Sequence, residues 1–332
     1  MRILLTHTPA ARNNYYGDAA LAALSQHGEV LLHEGDEPLT TAALIERAQG
    51  CDVIVSDRQT PGEAAVFAAL PDLAAFLRCA MDIRTVDLGA ASKAGVLVTR
   101  ATAGFIDSVA ELAIGLMVDL ARGVSDAVRA YRAGTQPPIR MGIQLSASSL
   151  GIIGYGAIGR RLSQLARALG MQVLAYDPYQ RIDEPGVRQV ALDVLLSHAR
   201  FVVCLAPANA ETEKLMNADR FAAMARGSYF INLARGELVD EAALRDALTS
   251  GHLAGAAMDV GRAPDQMPTP SLAALPNMVA TPHIGGLTPE AVAHQAFDTV
   301  TQVAALAAGT LPPGAVNPAE AHRLSRFGIK TI

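Results

Sequence analysis

The sequence predicts an α/β protein with two doubly wound parallel sheets, and three observations support that fold class. From residue 2 to about 98, short apolar runs of strand length alternate with helical patterns, which is the element order of parallel βαβ units. The same alternation returns between residues 150 and 282. The 332 residues also suffice for two domains of ordinary size. We therefore expect one sheet in each half of the chain.

Apolar periodicity places the individual elements. In the first half we expect helices at 17–26, 40–49 and 62–70 and strands at 2–6, 29–32, 52–55, 74–78 and 96–98. In the second half we expect a helix at 240–249 and strands near 150–153, 173–176, 201–205, 228–233, 254–258 and 278–280. A long helix at about 107–122 and a polar, proline-containing arm to residue 148 join the halves. A last helix at about 288–307 leads into a tail too short for a domain, which we expect to pack on the first half.

Composition and charge narrow the function classes. The formal charge of −5 and the pI near 5.9 argue against a nucleic-acid-binding surface. Cys51, Cys79 and Cys204 are odd in number and lie in apolar stretches, which favours buried reduced thiols over disulfides or a metal site. The N-terminus is typical of a short strand rather than a signal peptide, and no apolar run is long enough for a membrane span. We expect a cytoplasmic protein with small-molecule partners, no bound metal and no nucleic-acid or membrane partner.

A glycine-rich turn follows the first strand of the second half. Gly154 permits a tight turn, Gly156 lets backbone N–H groups approach a pyrophosphate, and Gly159 lets the next helix pack closely on its strand. Ala157 and Ile158 open that helix, whose positive dipole end faces the phosphates. This strand, turn and helix predict a dinucleotide-binding Rossmann domain.

An acidic residue indicates which dinucleotide binds. Asp177 lies 23 residues beyond Gly154, at the end of the next predicted strand, and Pro178 follows it. A carboxylate there can accept hydrogen bonds from both ribose hydroxyls and would repel a 2′-phosphate. The sequence therefore predicts NAD as the cofactor.

Two charged or titratable residues follow later strands of the same half. Arg235 comes after the apolar strand 228–233 and before Gly236, where a guanidinium can hold a carboxylate through two parallel hydrogen bonds. His283 lies between Pro282 and two glycines, and histidine changes charge near neutral pH. Beside a nicotinamide, such a residue can give or take a hydroxyl proton while a hydride moves between carbon centres.

Further residues at these strand ends are candidate cofactor contacts. Asp259 can hold a nicotinamide carboxamide or cap a loop. Pro207 fixes a turn beneath the cofactor, and Thr212 either contributes to the site or supplies ordinary turn and helix-cap bonds. Their neighbours complete the expected cofactor contacts, namely Ala206, Leu233, Ala234 and Gly285.

These motifs together resemble the D-isomer-specific 2-hydroxyacid dehydrogenase family over almost the whole chain. The elements that match in order and spacing are Ser108-Val-Ala-Glu111, Gly154-Tyr-Gly-Ala-Ile-Gly159, Tyr176-Asp-Pro178, Asn232-Leu-Ala-Arg-Gly236, Val239-Asp-Glu241, Ala257-Met-Asp-Val260 and Thr281-Pro-His-Ile-Gly285. The resemblance implies that Arg235 binds the substrate carboxylate and polarises the keto group, and that His283 is the acid/base. It also implies that Asp177 holds the adenosine ribose and Asp259 contacts the nicotinamide.

The resemblance also implies a domain layout. Family members bind substrate between a discontinuous flavodoxin-like domain and a Rossmann domain, and are usually homodimers built on the latter. Here we expect a substrate domain of residues 1–101 plus 287–332 and an NAD-binding domain of residues 102–286. Within the latter, a dimerisation arm is expected at about 123–148.

The chain departs from the family pattern in two places. Where the family usually carries a catalytic glutamate that hydrogen-bonds the histidine, this chain has Pro264, and Asp265 one place later can substitute if the loop shifts. Otherwise His283 works unpaired or is oriented by another group. Formate dehydrogenases of the wider superfamily also lack this carboxylate, but this chain lacks their longer N-terminal extension.

The second departure lies in the loop that receives the substrate carboxylate. The family presents a glycine-rich stretch there, whereas this chain carries Met81, Asp82, Ile83 and Arg84. Asp82 and Arg84 suggest a substrate with an extra polar or charged group, unless they pair with each other or point to solvent. Arg58, after the strand 52–55, is another candidate pocket residue.

The resulting expectation is an NAD-dependent 2-hydroxyacid dehydrogenase or 2-ketoacid reductase acting on a CH–OH group. The alternative from another class is an NAD(H)-binding regulatory or scaffold protein of the same fold, which the missing glutamate supports. The presence of both Arg235 and His283 favours the enzyme.

Overall fold

The chain forms two α/β units, each built on its own parallel sheet, in a computed structural model that describes residues 1–330 apart from the side chain of Asp265. The first unit comprises Met1–Gly104 together with the chain from Pro289 to the end of the described residues. The second unit is Phe105–Thr288. Two doubly wound parallel sheets are the fold class that the sequence predicts, and that prediction is confirmed.

The first unit contains a five-stranded sheet. Its elements before residue 104 are β1 (Arg2–Leu5), α1 (Pro9–Tyr15), α2 (Asp18–Leu24), β2 (Glu29–Leu32), α3 (Thr41–Arg47), β3 (Val53–Ser56), α4 (Ala64–Ala69), β4 (Ala75–Arg78), α5 (Leu88–Ala94) and β5 (Leu97–Arg100). The strands are parallel in the order β2-β1-β3-β4-β5, the flavodoxin-like order. All residues of β3 and β4 are buried, as expected for central strands covered on both faces.

The apolar periodicity of the sequence does not predict two short helices of the first unit, α1 and α5. The helix α1 begins with a hydrogen bond from Ala11 N–H to the Thr8 hydroxyl, and no residue of this helix is buried. The helix α5 begins where Asp87 accepts the Ala90 N–H, and ends at Gly95 with φ of 73°. Both are seven residues long, so their capping signals are more informative than their periodicity.

The second unit contains a seven-stranded sheet. Its elements are α6 (Ile106–Arg122), α7 (Val124–Arg132), β6 (Ser149–Ile153), α8 (Ala157–Ala168), β7 (Gln172–Tyr176), β8 (Val187–Gln189), α9 (Leu192–His198), β9 (Phe201–Cys204), α10 (Ala218–Ala223), β10 (Tyr229–Asn232), α11 (Glu241–Thr249), β11 (Gly255–Met258), α12 (Pro270–Ala273) and β12 (Met278–Ala280). The parallel order is β12-β11-β10-β9-β6-β7-β8, a Rossmann order that reverses its direction at β6. The sequence predicts six of these strands and misses β8, which is only three residues long and mostly exposed.

The long helix α6 packs on one face of the second sheet. Its buried residues recur at helical spacing and are Val109, Ala110, Ala113, Leu116, Met117, Leu120 and Ala121. They share an apolar cluster with alternate residues of β6, β7, β9 and β10. The arm after α6, expected to be polar and to contain proline, begins with the helix α7.

The last helix, α13 (Pro289–Ala307), belongs to the first unit. The hydroxyl groups of Tyr16 and Thr299 form a hydrogen bond of 3.0 Å, and the Asn317 side chain accepts the Val98 N–H at 2.7 Å. These contacts join residues distant in sequence, and they fasten the C-terminal segment to the five-stranded sheet.

The cysteine residues agree with the prediction of buried reduced thiols. Cys51, Cys79 and Cys204 are free and buried, as the sequence predicts. Burial raises the pKa of Cys79 and of Cys204 to about 12. Within residues 1–330, no helix is long and apolar enough to cross a membrane.

Candidate active site

The glycine turn follows β6, an inner strand of the second sheet. The strand β6 has β7 on one side and β9 on the other, so the order of the strands reverses here and leaves a crevice at their carboxyl ends. Gly154 has φ of 91°, and a Cβ on it would lie 2.7 Å from the Ala206 backbone nitrogen. Only glycine fits at this position, because the loop after β9 passes directly against it.

The next two glycines differ in their surroundings. A Cβ on Gly159 would lie 2.5 Å from the Gly154 carbonyl oxygen, so the helix α8 packs as closely as the fingerprint requires. A Cβ on Gly156 would meet nothing within 4 Å, which leaves open space before the N-terminus of α8. In the part of the chain that the structure describes, no side chain caps that N-terminus. Its backbone N–H groups are therefore available to an anionic group, and the turn fits a pyrophosphate.

Asp177 follows β7 on the other side of the turn. Its carboxylate accepts hydrogen bonds from the backbone N–H groups of Tyr155 and Tyr179 and from the Gln180 side chain, each at 2.9 Å. Burial alone would raise the pKa of Asp177, but these hydrogen bonds outweigh it and hold the pKa below its ordinary value. Asp177 is thus an oriented carboxylate beside the glycine turn.

The loop after β9 packs against the glycine turn at Gly154. Ala206 is buried and Pro207 is exposed. The Thr212 hydroxyl donates to the Pro207 carbonyl at 2.7 Å and accepts the Asn209 N–H at 2.9 Å, so it supplies turn bonds. The helix-cap interpretation of Thr212 is wrong, since α10 begins later and is capped by Asn217.

Arg235 follows β10 in a turn built by a buried asparagine. Asn232 is fully buried, and its side chain donates to the Arg235 carbonyl at 2.8 Å and accepts the Ala234 N–H at 3.1 Å. The half-buried Arg235 guanidinium donates to the Ala234 carbonyl at 2.7 Å. A Cβ on Gly236 would overlap the backbone of Gly261, so the neighbouring loop lies directly behind. The sequence does not reveal that Asn232 holds the Arg235 turn. The one sequence feature that could have indicated this role is a polar residue at the end of an apolar strand.

His283 lies on a loop that Asp259 holds. Asp259 is almost completely buried and accepts the Thr281 hydroxyl at 2.6 Å. It also accepts the N–H groups of Ile284 and Gly285, both at 2.8 Å. His283 has φ of 57°, a left-handed conformation that costs a non-glycine residue energy and persists only when its surroundings impose it. Asp259 therefore caps the histidine loop, one of the two roles expected for it.

The position of the missing glutamate lies in a short turn. Residues Pro264–Gln266 form a 3-10 turn closed by a bond from the Gly261 N–H to the Gln266 carbonyl at 2.7 Å. Pro264 is exposed. The side chain of Asp265 lies outside the described residues, so its pairing with His283 stays a prediction.

The substrate candidates of the first unit lie on the loops after β3 and β4. Arg58 and Met81 are exposed there, and Ile83 packs on the apolar cluster beneath. Asp82 and Arg84 form an ion pair of 2.7 Å with a second bond of 3.0 Å from Arg84 Nε. Mutual pairing is therefore the interpretation that the structure supports for these two residues.

The predicted residues of the second unit share one edge of its sheet. The glycine turn and Asp177 follow β6 and β7, Pro207 follows β9, and Arg235, Asp259 and His283 follow β10, β11 and β12. A cavity of about 270 Å³ opens at the opposite edge, where β10, β11 and β12 begin. Because ligands of open α/β sheets bind at carboxyl ends, we place the site with the predicted residues and not in this cavity.

Known proteins resemble this chain over nearly its whole length. Residues 114–285 match the family model described as D-isomer specific 2-hydroxyacid dehydrogenase, NAD binding domain. A glyoxylate reductase from Korarchaeum cryptofilum is 32% identical over 308 residues, covering 90% of this chain and 93% of that protein. A D-3-phosphoglycerate dehydrogenase from Archaeoglobus fulgidus is 34% identical over 278 residues, which are 82% of this chain but 53% of that protein. This chain thus spans about half the length of that relative.

A solved structure has the same fold. The TT0316 protein from Thermus thermophilus superposes with a TM-score of 0.85 at 31% identity, covering 95% of this chain and all of that one.

Proposed function

Because the chain belongs to the D-isomer specific 2-hydroxyacid dehydrogenase family, we propose roles for its residues in the chemistry of that family. The protein is an NAD-dependent oxidoreductase that acts on the CH–OH group of a 2-hydroxy acid. When bound, the nicotinamide supplies or takes the hydride, which carries two electrons and one hydrogen to or from C2 of the substrate. The residues of the chain must then orient the acid, move one proton and hold the cofactor.

Arg235 holds the substrate carboxylate and polarises the keto oxygen. Its position after a buried strand, in a turn fastened by Asn232, supports this role, because a fixed guanidinium can bind a carboxylate in one plane. His283 gives the proton to the keto oxygen during reduction and takes it back during oxidation. The Asp259 bonds that fasten its loop support this assignment, since proton transfer requires a fixed donor position.

The remaining residues hold the cofactor and complete the acid/base pair. We propose that the amides at the N-terminus of α8 bind the pyrophosphate and that Asp177 binds the adenosine ribose, as its oriented carboxylate supports. We assign to Asp265 the place of the family's glutamate beside His283. Asp265→Asn should then shift the pH profile of kcat/KM for reduction to lower pH, and an unchanged profile would exclude this role.

Arg235 gives the direct test of this function. Arg235→Ala should lower kcat/KM for 2-keto acids by about 100-fold to 1000-fold, because it removes a charge-assisted pair of hydrogen bonds from the transition state. The measurement is NADH oxidation with glyoxylate and larger 2-keto acids, beside NADH binding followed by fluorescence. Arg245→Ala, an exposed arginine that donates to the Ser271 hydroxyl, is the matched control. Near-native turnover in Arg235→Ala would refute the assignment, and NADH binding without turnover in the native protein would support the regulatory alternative.

The substrate is proposed to be a small 2-keto acid of the glyoxylate type. The relative that this chain covers to 93% is a glyoxylate reductase, which supports a small acid. The ion pair of Asp82 with Arg84 supports a small acid as well, because these two charged groups bind each other and do not call for an extra charged group on the substrate. The same substrate panel tests this choice through the ratio of kcat/KM values.

We further propose a homodimer that works in the cytoplasm. The arm at 123–148 supports the dimer, because Ile139 and Met141 are completely exposed apolar residues in it. The three free thiols support the location, since disulfides are rare in the cytoplasm. Cell fractionation tests the location, and recovery of the protein outside the cytoplasmic fraction would contradict it.

A further inference from the structure

A fully buried arginine lies beneath the loops that carry the substrate candidates of the first unit. We propose that Arg78 is a positioning residue that fixes the β3 loop (residues 57–62) and the β4 loop (residues 79–87) against each other, and thereby sets substrate affinity. The proposal rests on the proposed function, because these loops carry Arg58 and the segment from Met81 to Arg84. Arg78 itself contacts no substrate in this proposal.

The β3 loop is held from below by the guanidinium. Arg78 ends β4 and is 0% exposed. Its Nη1 donates to the carbonyl oxygen of Asp57, and its Nη2 donates to the carbonyl oxygen of Thr60 at 3.1 Å. The Asp57 carboxylate in turn accepts the Thr60 N–H at 2.7 Å, which closes the loop as a tight turn. Arg78 therefore contacts both ends of this turn, beside the Thr6 hydroxyl, which accepts the Asp57 N–H at 3.0 Å.

The β4 loop is held by the same guanidinium. Arg78 Nη2 also donates to the Thr85 hydroxyl at 2.8 Å. The two loops contact each other directly as well, since Gly62 N–H donates to the Thr85 carbonyl at 3.0 Å and Asp87 N–H to the Gly62 carbonyl at 2.7 Å. The segment between Cys79 and Thr85, which carries the candidate substrate contacts, is thus fixed at both ends.

The chemistry of the site requires arginine. Burial lowers the pKa of Arg78 to about 10, while the Asp57 charge opposes that shift, so the guanidinium remains charged at neutral pH. The planar group also lies 5.7 Å from the centre of the Phe76 ring. A lysine ammonium has no fork that reaches two carbonyl groups and a hydroxyl in fixed directions. Loss of this geometry releases the loops without removing any expected substrate contact.

The experiment removes one contact at the loop end. Thr85→Val deletes the hydroxyl that accepts from Arg78 and keeps the shape, whereas Thr85→Ser keeps the hydroxyl. We expect Thr85→Val to raise KM for the 2-keto acid about tenfold and to leave kcat within about twofold, because only a pre-set pocket shape is lost. Amide hydrogen exchange of residues 79–87 should accelerate about tenfold in the same variant. Thr85→Ser should match the native protein in both measurements.

A control and a second variant complete the design. Thr301→Val deletes another exposed threonine hydroxyl in the first unit, on α13, and should change neither KM nor exchange of the β4 loop. Arg78→Lys should raise KM more than Thr85→Val, with NADH affinity unchanged. If Arg78→Lys does not fold, the Thr85 variants decide.

The outcomes separate this inference from the proposed function. Unchanged KM and unchanged exchange in Thr85→Val would overturn the positioning role. If the native protein reduces no 2-keto acid, the proposed function fails, while hydrogen exchange still shows whether Arg78 and Thr85 hold the loop. Accelerated exchange without any change of KM would show a structural contact only and would also overturn the inference.

Discussion

His7 is a histidine held neutral inside the first unit. It is 1% exposed, its ring lies 5.1 Å from the Tyr16 ring, and its Nδ1 has no hydrogen-bond partner among the described residues. Burial lowers the pKa of His7 from 6.5 to about 4, an effect that the Asp57 charge opposes and that the charges of Arg12 and Arg78 reinforce. The fold therefore keeps an uncharged imidazole among charged neighbours.

This pKa predicts how stability depends on pH. Between about pH 6.5 and pH 4 the unfolded chain binds a proton at His7 that the folded chain does not, so the free energy of unfolding falls as the pH falls. The loss through this one residue should reach about 3 kcal/mol at pH 4. His7→Gln should flatten the dependence of urea-unfolding free energy on pH across this window, whereas His198→Gln, at an exposed site, should not. Parallel curves for the native protein and His7→Gln would contradict the assignment.

The junction of β6 and α8 contains two glycines with opposite requirements, Gly156 before the helix and Gly159 in its first turn. Gly156 has φ of −72° and open space around its missing Cβ, so Gly156→Ala should fold normally. The added methyl group would occupy the space before the helix N-terminus, and we expect NADH to bind at least about tenfold more weakly. The measurements are NADH fluorescence titration and thermal unfolding.

Gly159→Ala is the matched counterpart. Its Cβ would lie 2.5 Å from the Gly154 carbonyl oxygen, so the turn and the helix must move apart. We expect about 1–3 kcal/mol of lost stability, as in other overpacked sites. Equal stability of the Gly156→Ala and Gly159→Ala variants would contradict a close contact between α8 and the Gly154 carbonyl group.

The same elements show what the sequence can predict. Central strands such as β3 and β9 are buried over their whole length and mostly apolar, so their number and order of appearance follow from the pattern. Short elements with exposed side chains do not have such a pattern, which is why α1, α5 and β8 escape prediction. At the site, motif residues such as Arg235 can be identified because their neighbours in sequence are distinctive. The roles of Asn232 and Arg78 cannot, because they depend on contacts made only after folding.

The arm of the second unit carries apolar side chains that the described part of the chain leaves exposed. No residue of α7 is buried, although Val124, Val128 and Tyr131 recur on it at helical spacing. In the following segment Ile139 and Met141 are also exposed apolar residues, at 102% and 98% exposure. Apolar residues this exposed are typical of a surface that another protein covers, and a second copy of the chain is the occupant we propose.

A dimer of this kind makes a prediction for the intact protein. The native protein should have twice the 34.7 kDa mass of the chain in light scattering after gel filtration, and its melting temperature should rise with concentration. Ile139→Asp combined with Met141→Asp should give a monomer, because two carboxylates would be buried unpaired in the interface. Leu311→Asp, at an exposed apolar residue of the first unit, should remain a dimer. If the native protein is a monomer at every concentration, or if the Ile139→Asp and Met141→Asp double variant stays dimeric like Leu311→Asp, the arm is not the dimer interface. Its exposed apolar side chains would then contact another partner.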